Sequence, residues 1–315
     1  MNTLRPWLQI VRYATGIILL LGLAWYLWQR PEEVLRLTEI SVPVLAAVFV
    51  ARLASYAMLV ISTWRFIKIF APALNLWEYF LVSSSGFALG MFSLPGSSYV
   101  VKTVYLKQRH GFSHVDFLAV NILVGLFTLL TAGVIACGAL TLIRHGGDTV
   151  HIGLWALAIG LAIGASSGLV LIDKSFYRAG VERTIRLAQT YRKIVCDHEG
   201  IRLVFISLTL RTALSFLGFG LLFYALGGGT ILAGGVMDSL STLLRLVRFT
   251  PGNLGIYEWS VASLGHWLDA SMSIGLIAAG LYRLIGLLAV AATTIFGLLI
   301  ARVFRLSPVN NSTRP

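Results

Sequence analysis

Phe249-Thr250-Pro251-Gly252-Asn253-Leu254-Gly255-Ile256-Tyr257-Glu258 sets a helix breaker, two glycines and a carboxylate between two apolar segments. Proline removes a backbone donor and clashes with the preceding turn, so a helix has to stop here. An earlier stretch, Ser93-Leu94-Pro95-Gly96-Ser97-Ser98-Tyr99-Val100-Val101-Lys102, repeats the arrangement. Each copy carries Pro-Gly and, seven positions after the proline, a charged residue: Lys102 in the first and Glu258 in the second. The prolines stand 251 − 95 = 156 residues apart, about half the chain. Broken apolar helices at matching positions in two halves point to re-entrant hairpins. Such irregular backbone is tolerated at membrane depth only where it is buried in protein or lines a cavity.

Composition supports a membrane setting. Of 315 residues, 57% are hydrophobic and 12% charged, against roughly 25% charged in soluble domains. The mean hydropathy is +0.83. The apolar runs are long and continuous, unlike the alternating segments of a β-barrel, so the class is an all-α polytopic membrane protein. The formal net charge is +12. Most Lys and Arg flank apolar runs, a topological pattern that needs no nucleic-acid partner; the basic excess also favours anionic head groups at the inner leaflet. Cys137 lies in an apolar run and Cys196 in a basic loop, so they suggest neither a disulfide framework nor a metal site.

The predicted layout is a single transmembrane domain over 1–315, with one repeat over about 1–145 and a second over about 150–303. Six full spans are expected at about 7–28, 40–63, 115–143, 151–172, 201–226 and 272–302. No small-residue cleavage site follows the first, so it reads as an anchor. Two hairpins are expected, at 76–109 and 231–267, each broken at its Pro-Gly. Segment 173–200 carries Lys174, Arg178, Arg183, Arg186, Arg192 and Lys193, and reads as an amphipathic helix along the inner leaflet. Gly160, Gly164 and Gly168 share one face of the fourth span, where another helix could approach closely. The 156-residue offset carries the second span onto the fifth and the third onto the sixth. Three spans per half is an odd number, so the halves are expected to be inverted, with both termini cytoplasmic and the chain in the inner membrane.

Several residues are candidates for a buried site. Pro251, Gly252 and Gly255 form either an ordinary kink or a half-helix end whose free backbone groups bind an ion. Lys102 and Glu258 are either interfacial residues with their heads in water or charges facing a polar cavity, and a direct pair between them would be a structural lock. Arg52, Arg211 and Arg283 lie well inside apolar runs, with Arg245 and Arg248 near the second breaker. Five such arginines, each costing about 2.5 kcal/mol or more at a bilayer centre, argue for a shared polar interior. Guanidinium matches phosphate with two parallel hydrogen bonds, so an anionic head group is the natural ligand. No Gly-x-Ser-x-Gly, His-Glu-x-x-His or Walker A pattern occurs, and no catalytic residue, metal or cofactor is expected.

Pro251-Gly252-Asn253-Leu254-Gly255-Ile256-Tyr257-Glu258 resembles the Pro-Gly-x-x-Gly-x-x-Glu signature of the lysylphosphatidylglycerol synthase transmembrane family, the flippase-like domain. Leu94-Pro95-Gly96 with Lys102, Leu106 and Gly111 resembles that family's other element. Asn253 replaces an expected glycine. The resemblance covers the layout of nearly the whole chain and implies movement of a lipid between leaflets. The chain leaves no room for a soluble aminoacyl-transferase domain, so lipid aminoacylation is not implied. The expectation is a flippase-like transporter of an anionic phospholipid or polyprenyl-phosphate lipid. The alternatives are an accessory or scaffold subunit of an envelope-lipid enzyme, or an intramembrane enzyme acting on a lipid phosphate.

Overall fold

The computed structural model describes residues 4–92, 97–143, 149–178, 182–246, 253–268 and 270–303. Thirteen α-helices lie within them: α1 Leu4–Trp28, α2 Pro31–Leu35, α3 Val42–Lys68, α4 Leu76–Phe92, α5 Ser97–His110, α6 His114–Leu142, α7 Thr149–Arg178, α8 Glu182–Val195, α9 His198–Ala225, α10 Ile231–Leu240, α11 Thr242–Leu246, α12 Ile256–His266 and α13 Met272–Val303. A short 3-10 turn, Arg36–Glu39, follows α2.

Local chemistry places the helix ends. The Ser113 hydroxyl accepts from the amides of Val115 and Asp116 and opens α6. Asp197 accepts from the Gly200 amide at 3.0 Å to open α9, and Thr230 accepts from the Ala233 amide at 3.1 Å to open α10. Each side chain satisfies a donor the first helical turn leaves free. At the end of α9, Gly227 takes φ +77°. Its amide donates to the Tyr224 carbonyl and that of Gly228 to Phe223, the paired bonds of a glycine-terminated helix.

By length and composition, four helices of the described residues can cross a membrane: Val42–Lys68, His114–Leu142, His198–Ala225 and Met272–Gly297 within α13. The protein is thus a helical multi-pass membrane protein. The first and fourth expected spans fall in α1 and α7, whose described apolar stretches are shorter, Tyr13–Trp28 and Ile152–Ser167. The large apolar side chains of Ile18, Leu21, Val50, Ile163, Leu217, Leu288 and Phe296 are exposed, as a lipid-facing surface requires. Lipid tails are as apolar as leucine, so helix contact must come from close packing of small residues. A methyl group on Gly133 of α6 would come 2.8 Å from the carbonyl of Ala158 and the amide of Ala162 on α7. The close face of α7 is therefore the Ala158–Ala162 face. Gly160 and Gly164, expected to make that approach, are exposed with nothing within 4 Å of an added methyl. Alanine at 158 and 162 is already small enough for α6 to reach the backbone.

Contacts gather the helix ends into two layers. In one, Arg65 at the end of α3 pairs with Asp197 at 2.7 Å, the Trp64 indole donates to the Leu74 carbonyl ahead of α4, Arg109 of α5 pairs with Glu78 of α4, and Thr190 of α8 donates to Asp116 of α6 at 2.6 Å. In the other, Arg30 donates to Ser273 of α13, Ser271 to Glu33, and Arg36 to the Leu226 carbonyl after α9. Helices α4 and α5 thus begin and end in the first layer, whereas the segment α10–α12 begins and ends in the second. Two hydrophobic clusters correspond. One gathers Tyr79, Phe117, Phe66 and Val204 in the first layer; the other joins Phe219, Phe223, Val236, Val261 and Tyr282 in the second.

Candidate functional site

The sequence Ile231-Leu232-Ala233-Gly234-Gly235-Val236-Met237-Asp238 drives α10 into the bundle. A methyl on Gly234 would come 2.9 Å from the Cα of Gly220 on α9, so the two backbones meet with no room for a side chain between them. This close approach carries Asp238 into the interior, where it is 1% exposed. A carboxylate in such a place needs partners. The Ser215 hydroxyl of α9 donates to its Oδ2 at 2.8 Å. Tyr282 of α13 donates to the Ser215 carbonyl at 3.0 Å, and the two hydroxyls lie 3.1 Å apart.

Helix α10 breaks at Ser241, and the following turn, α11, folds Arg245 back over Asp238. Arg245 Nη2 donates to the Asp238 carbonyl at 2.7 Å and to the Thr242 hydroxyl at 2.8 Å. It lies 3.1 Å from Asp238 Oδ1, an ion-pair contact without hydrogen-bond alignment. The guanidinium also faces the Tyr257 ring at 5.6 Å. Two further arginines enter from other helices. Arg52 of α3 lies over the Tyr282 ring at 4.3 Å and against the backbone of Gly286. Arg211 of α9 donates to the Thr128 hydroxyl of α6 at 3.1 Å. Arg211 is close enough to feel the charges of Arg245, Arg52 and Asp238.

The cluster therefore holds three arginines against one aspartate. Among the described residues neither Arg52 nor Arg211 has a carboxylate partner. Two buried donors of the cluster likewise lack a hydrogen-bond partner there: the Tyr257 hydroxyl and Arg245 Nε. Surplus positive charge with spare donors in an apolar interior is the chemistry of an anion site.

The expected site residues divide. Arg52, Arg211 and Arg245 come together. Arg283, although next to Tyr282, serves a second centre: it pairs with the Glu258 carboxylate, whose Oε2 also accepts from the Gly255 amide at 2.8 Å. Glu258 is 3% exposed and closes the first turn of α12 from within. Gly255 has φ +81°, and an added methyl would strike Leu19 of α1, so glycine is required on both counts. Asn253 takes φ +57° and donates its amide to the Leu244 carbonyl. Asparagine is among the few residues that visit this left-handed region readily, which explains how it stands where glycine was expected. Lys102 lies on α5 with its stem packed on Gly86 of α4, where an added methyl would come 3.2 Å from Lys102 Cε. The described partners of Glu258 are Arg283 and Gly255. Arg248, Pro251 and Gly252, like Pro95 and Gly96, lie outside the described residues.

A third polar group closes the base of the α4–α5 hairpin. Glu78 accepts from the Tyr105 hydroxyl at 2.6 Å and contacts Arg109 at 2.9 Å and His110 at 3.0 Å. Burial pushes its carboxyl up, but the hydrogen bonds from Tyr105 and His110 and the charges of His110 and Arg109 together hold it below the ordinary range. Burial and the Glu78 carboxylate push the Tyr105 phenol up to about 12.

Sequence reasoning overlooked Asp238, Ser215, Tyr257 and Tyr282. The available signal was Asp238, an acid within the apolar run Ile231–Leu240 and seven residues before Arg245. Among the described residues no group of three His, Cys, Asp or Glu gathers as a metal site. The fold and this site define a helical multi-pass membrane protein with a cationic cluster inside the bundle. No family model matches the chain, and no curated protein or solved structure shows significant similarity to it.

Proposed function

We propose that the chain is a flippase-like transporter that carries an anionic lipid head group across the bacterial inner membrane. One observation carries this reading: Arg52, Arg211 and Arg245, from α3, α9 and α11, gather inside an apolar bundle in one cluster that holds a single carboxylate, Asp238, paired with Arg245. Isolated, such charges are expensive at membrane depth, and their use is ordinarily to meet a charged substrate. Tails would remain in lipid while the head group crosses through the bundle.

The inverted-repeat arrangement belongs to the same proposal. Ser55 donates to the Arg211 carbonyl at 3.2 Å across the α3–α9 contact, and these positions differ by 156, the separation of the two Pro-Gly motifs. Equivalent positions meet in this way where a two-fold axis passes between antiparallel helices. The wider packing follows the same rule: α4 lies on α13 and α10 on α6, so each hairpin rests on a span of the other half. The layer rich in Arg65, Lys68, Lys107 and Arg109 would be cytoplasmic. The α4–α5 hairpin then opens from the cytoplasm and the α10–α12 segment from outside.

The test is transport by purified protein in liposomes that carry labelled phosphatidylglycerol or polyprenyl phosphate. Flipping above empty vesicles is expected, with loss in Arg52→Gln and Arg211→Gln variants that melt as wild type does. Folded protein that moves neither lipid would defeat the reading.

A further inference from the structure

We infer that the head group is doubly negative: a phosphomonoester, not the singly charged phosphodiester of an ordinary phospholipid. This deepens the proposed function and rests on it. Arg52, Arg211 and Arg245 are partly buried, and away from bulk water a site and its ligand favour near neutrality, because surplus charge of either sign carries a desolvation cost. The described groups that share the site are Arg52, Arg211, Arg245 and Asp238, with the uncharged hydroxyls of Tyr257 and Tyr282, the latter already donated to Ser215. Asp238 offsets Arg245 at 3.1 Å. Arg52 and Arg211 are left over, each held by a neutral group: the Tyr282 ring at 4.3 Å and the Thr128 hydroxyl at 3.1 Å. A cation–π contact and a single hydroxyl orient a guanidinium without discharging it. A phosphodiester would neutralise one of the two arginines and strand the other. A phosphomonoester neutralises both and offers three oxygens to their forks. The Tyr257 hydroxyl, buried and without a described partner, adds a donor beside it. Arg283 has its own carboxylate in Glu258, so the pair adds no net charge to this balance.

The second ionisation of a phosphomonoester falls near pH 6, whereas a phosphodiester has none there. Charge matching therefore has a pH signature. Purified protein in detergent is titrated with dioctanoyl phosphatidate, dioctanoyl phosphatidylglycerol, dioctanoyl phosphatidylcholine and inorganic phosphate. At about pH 8 phosphatidate should bind about tenfold or more tighter than phosphatidylglycerol, and this ratio should shrink as pH falls below about 6. Gly286→Ala supplies a variant that spares the fold. Its methyl would strike only the flexible end of Arg52, and it should remove most of the preference with little change in melting. Equal binding of phosphatidate and phosphatidylglycerol at about pH 8 overturns the dianion while leaving an anionic-lipid transporter standing. Binding of phosphatidylcholine as tight as either overturns both. Inorganic phosphate binding as tightly as phosphatidate overturns a lipid ligand but keeps the dianion.

Discussion

Glu258 lies 3% exposed with one oxygen on the Gly255 amide and the other on Arg283. The first bond caps a helix and the second neutralises a cation, and a substitution can separate them. Glutamine at 258 keeps an oxygen for the Gly255 amide but leaves Arg283, itself 19% exposed, without this counter-charge. Breaking one side of a buried pair costs about 3 kcal/mol or more, mostly as the penalty on the orphaned partner. Glu258→Gln should therefore lower the melting temperature in detergent clearly, and adding Arg283→Gln should recover a good part of the loss. A double variant that melts lower than either single one would show that the two residues act separately. The acid of the quoted Pro-Gly stretch was thus visible in sequence as a candidate residue, but its partner was not. Lys102 and Arg283 are equally charged and equally plausible on paper. Only the turn of α13 decides that Tyr282 faces the Asp238 cluster and Arg283 faces α12.

At the scale of elements, hydropathy and the helix breakers predicted the helices closely. The start at Ser97 and the helices Ile256–His266 and His198–Ala225 fall near their expected bounds, whereas the second hairpin, expected to break at its Pro-Gly, already breaks at Ser241. What sequence could not give was which small residues make a contact. Glycines at i and i+4 in α7 looked like an interface, yet Gly133 of α6 meets the Ala158–Ala162 face instead. Gly133→Ala must push backbone from backbone, an overpacking cost of about 1–3 kcal/mol. Gly164→Ala adds a methyl in open space and should gain a few tenths of a kcal/mol from helix propensity. Thermal melts of the two variants in one detergent should move in opposite directions. The α4–α5 hairpin has a pH dependence of its own. Because the Glu78 carboxyl is held below its ordinary value, its bonds to Tyr105, Arg109 and His110 stabilise the folded hairpin above the unfolded pKa of about 4.3 and fade as pH falls through the lower folded value. The protection factors of amides in 97–110, corrected for the intrinsic pH dependence of exchange, should fall in that acid window, and Glu78→Gln should abolish the change.

The whole molecule has two layers of helix ends, and the two native cysteines help to orient them. Cys196 is exposed beside Asp197 at the start of α9, in the layer of Arg65 and Glu78. Cys137 is half-buried within α6, between the layers. Thr38 is exposed in the turn after α2, in the layer of Arg30 and Arg36. Lysine and arginine collect on the cytoplasmic side because they resist translocation, so the Cys196 layer should be cytoplasmic. A membrane-impermeant maleimide should label Cys196 in inside-out vesicles and not in intact spheroplasts. In a Cys196→Ser background, Thr38→Cys should label in spheroplasts alone. Both sites labelling from one side would contradict the two-layer fold itself. Reversal of both would keep the layers but invert the molecule. The Asp238–Arg245 break would then open toward the cytoplasm and the α4–α5 hairpin toward the outside, and a head group recruited at the inner leaflet would meet Arg245 before it met Lys102. The labelling pattern thus fixes from which leaflet the arginine cluster is first reached.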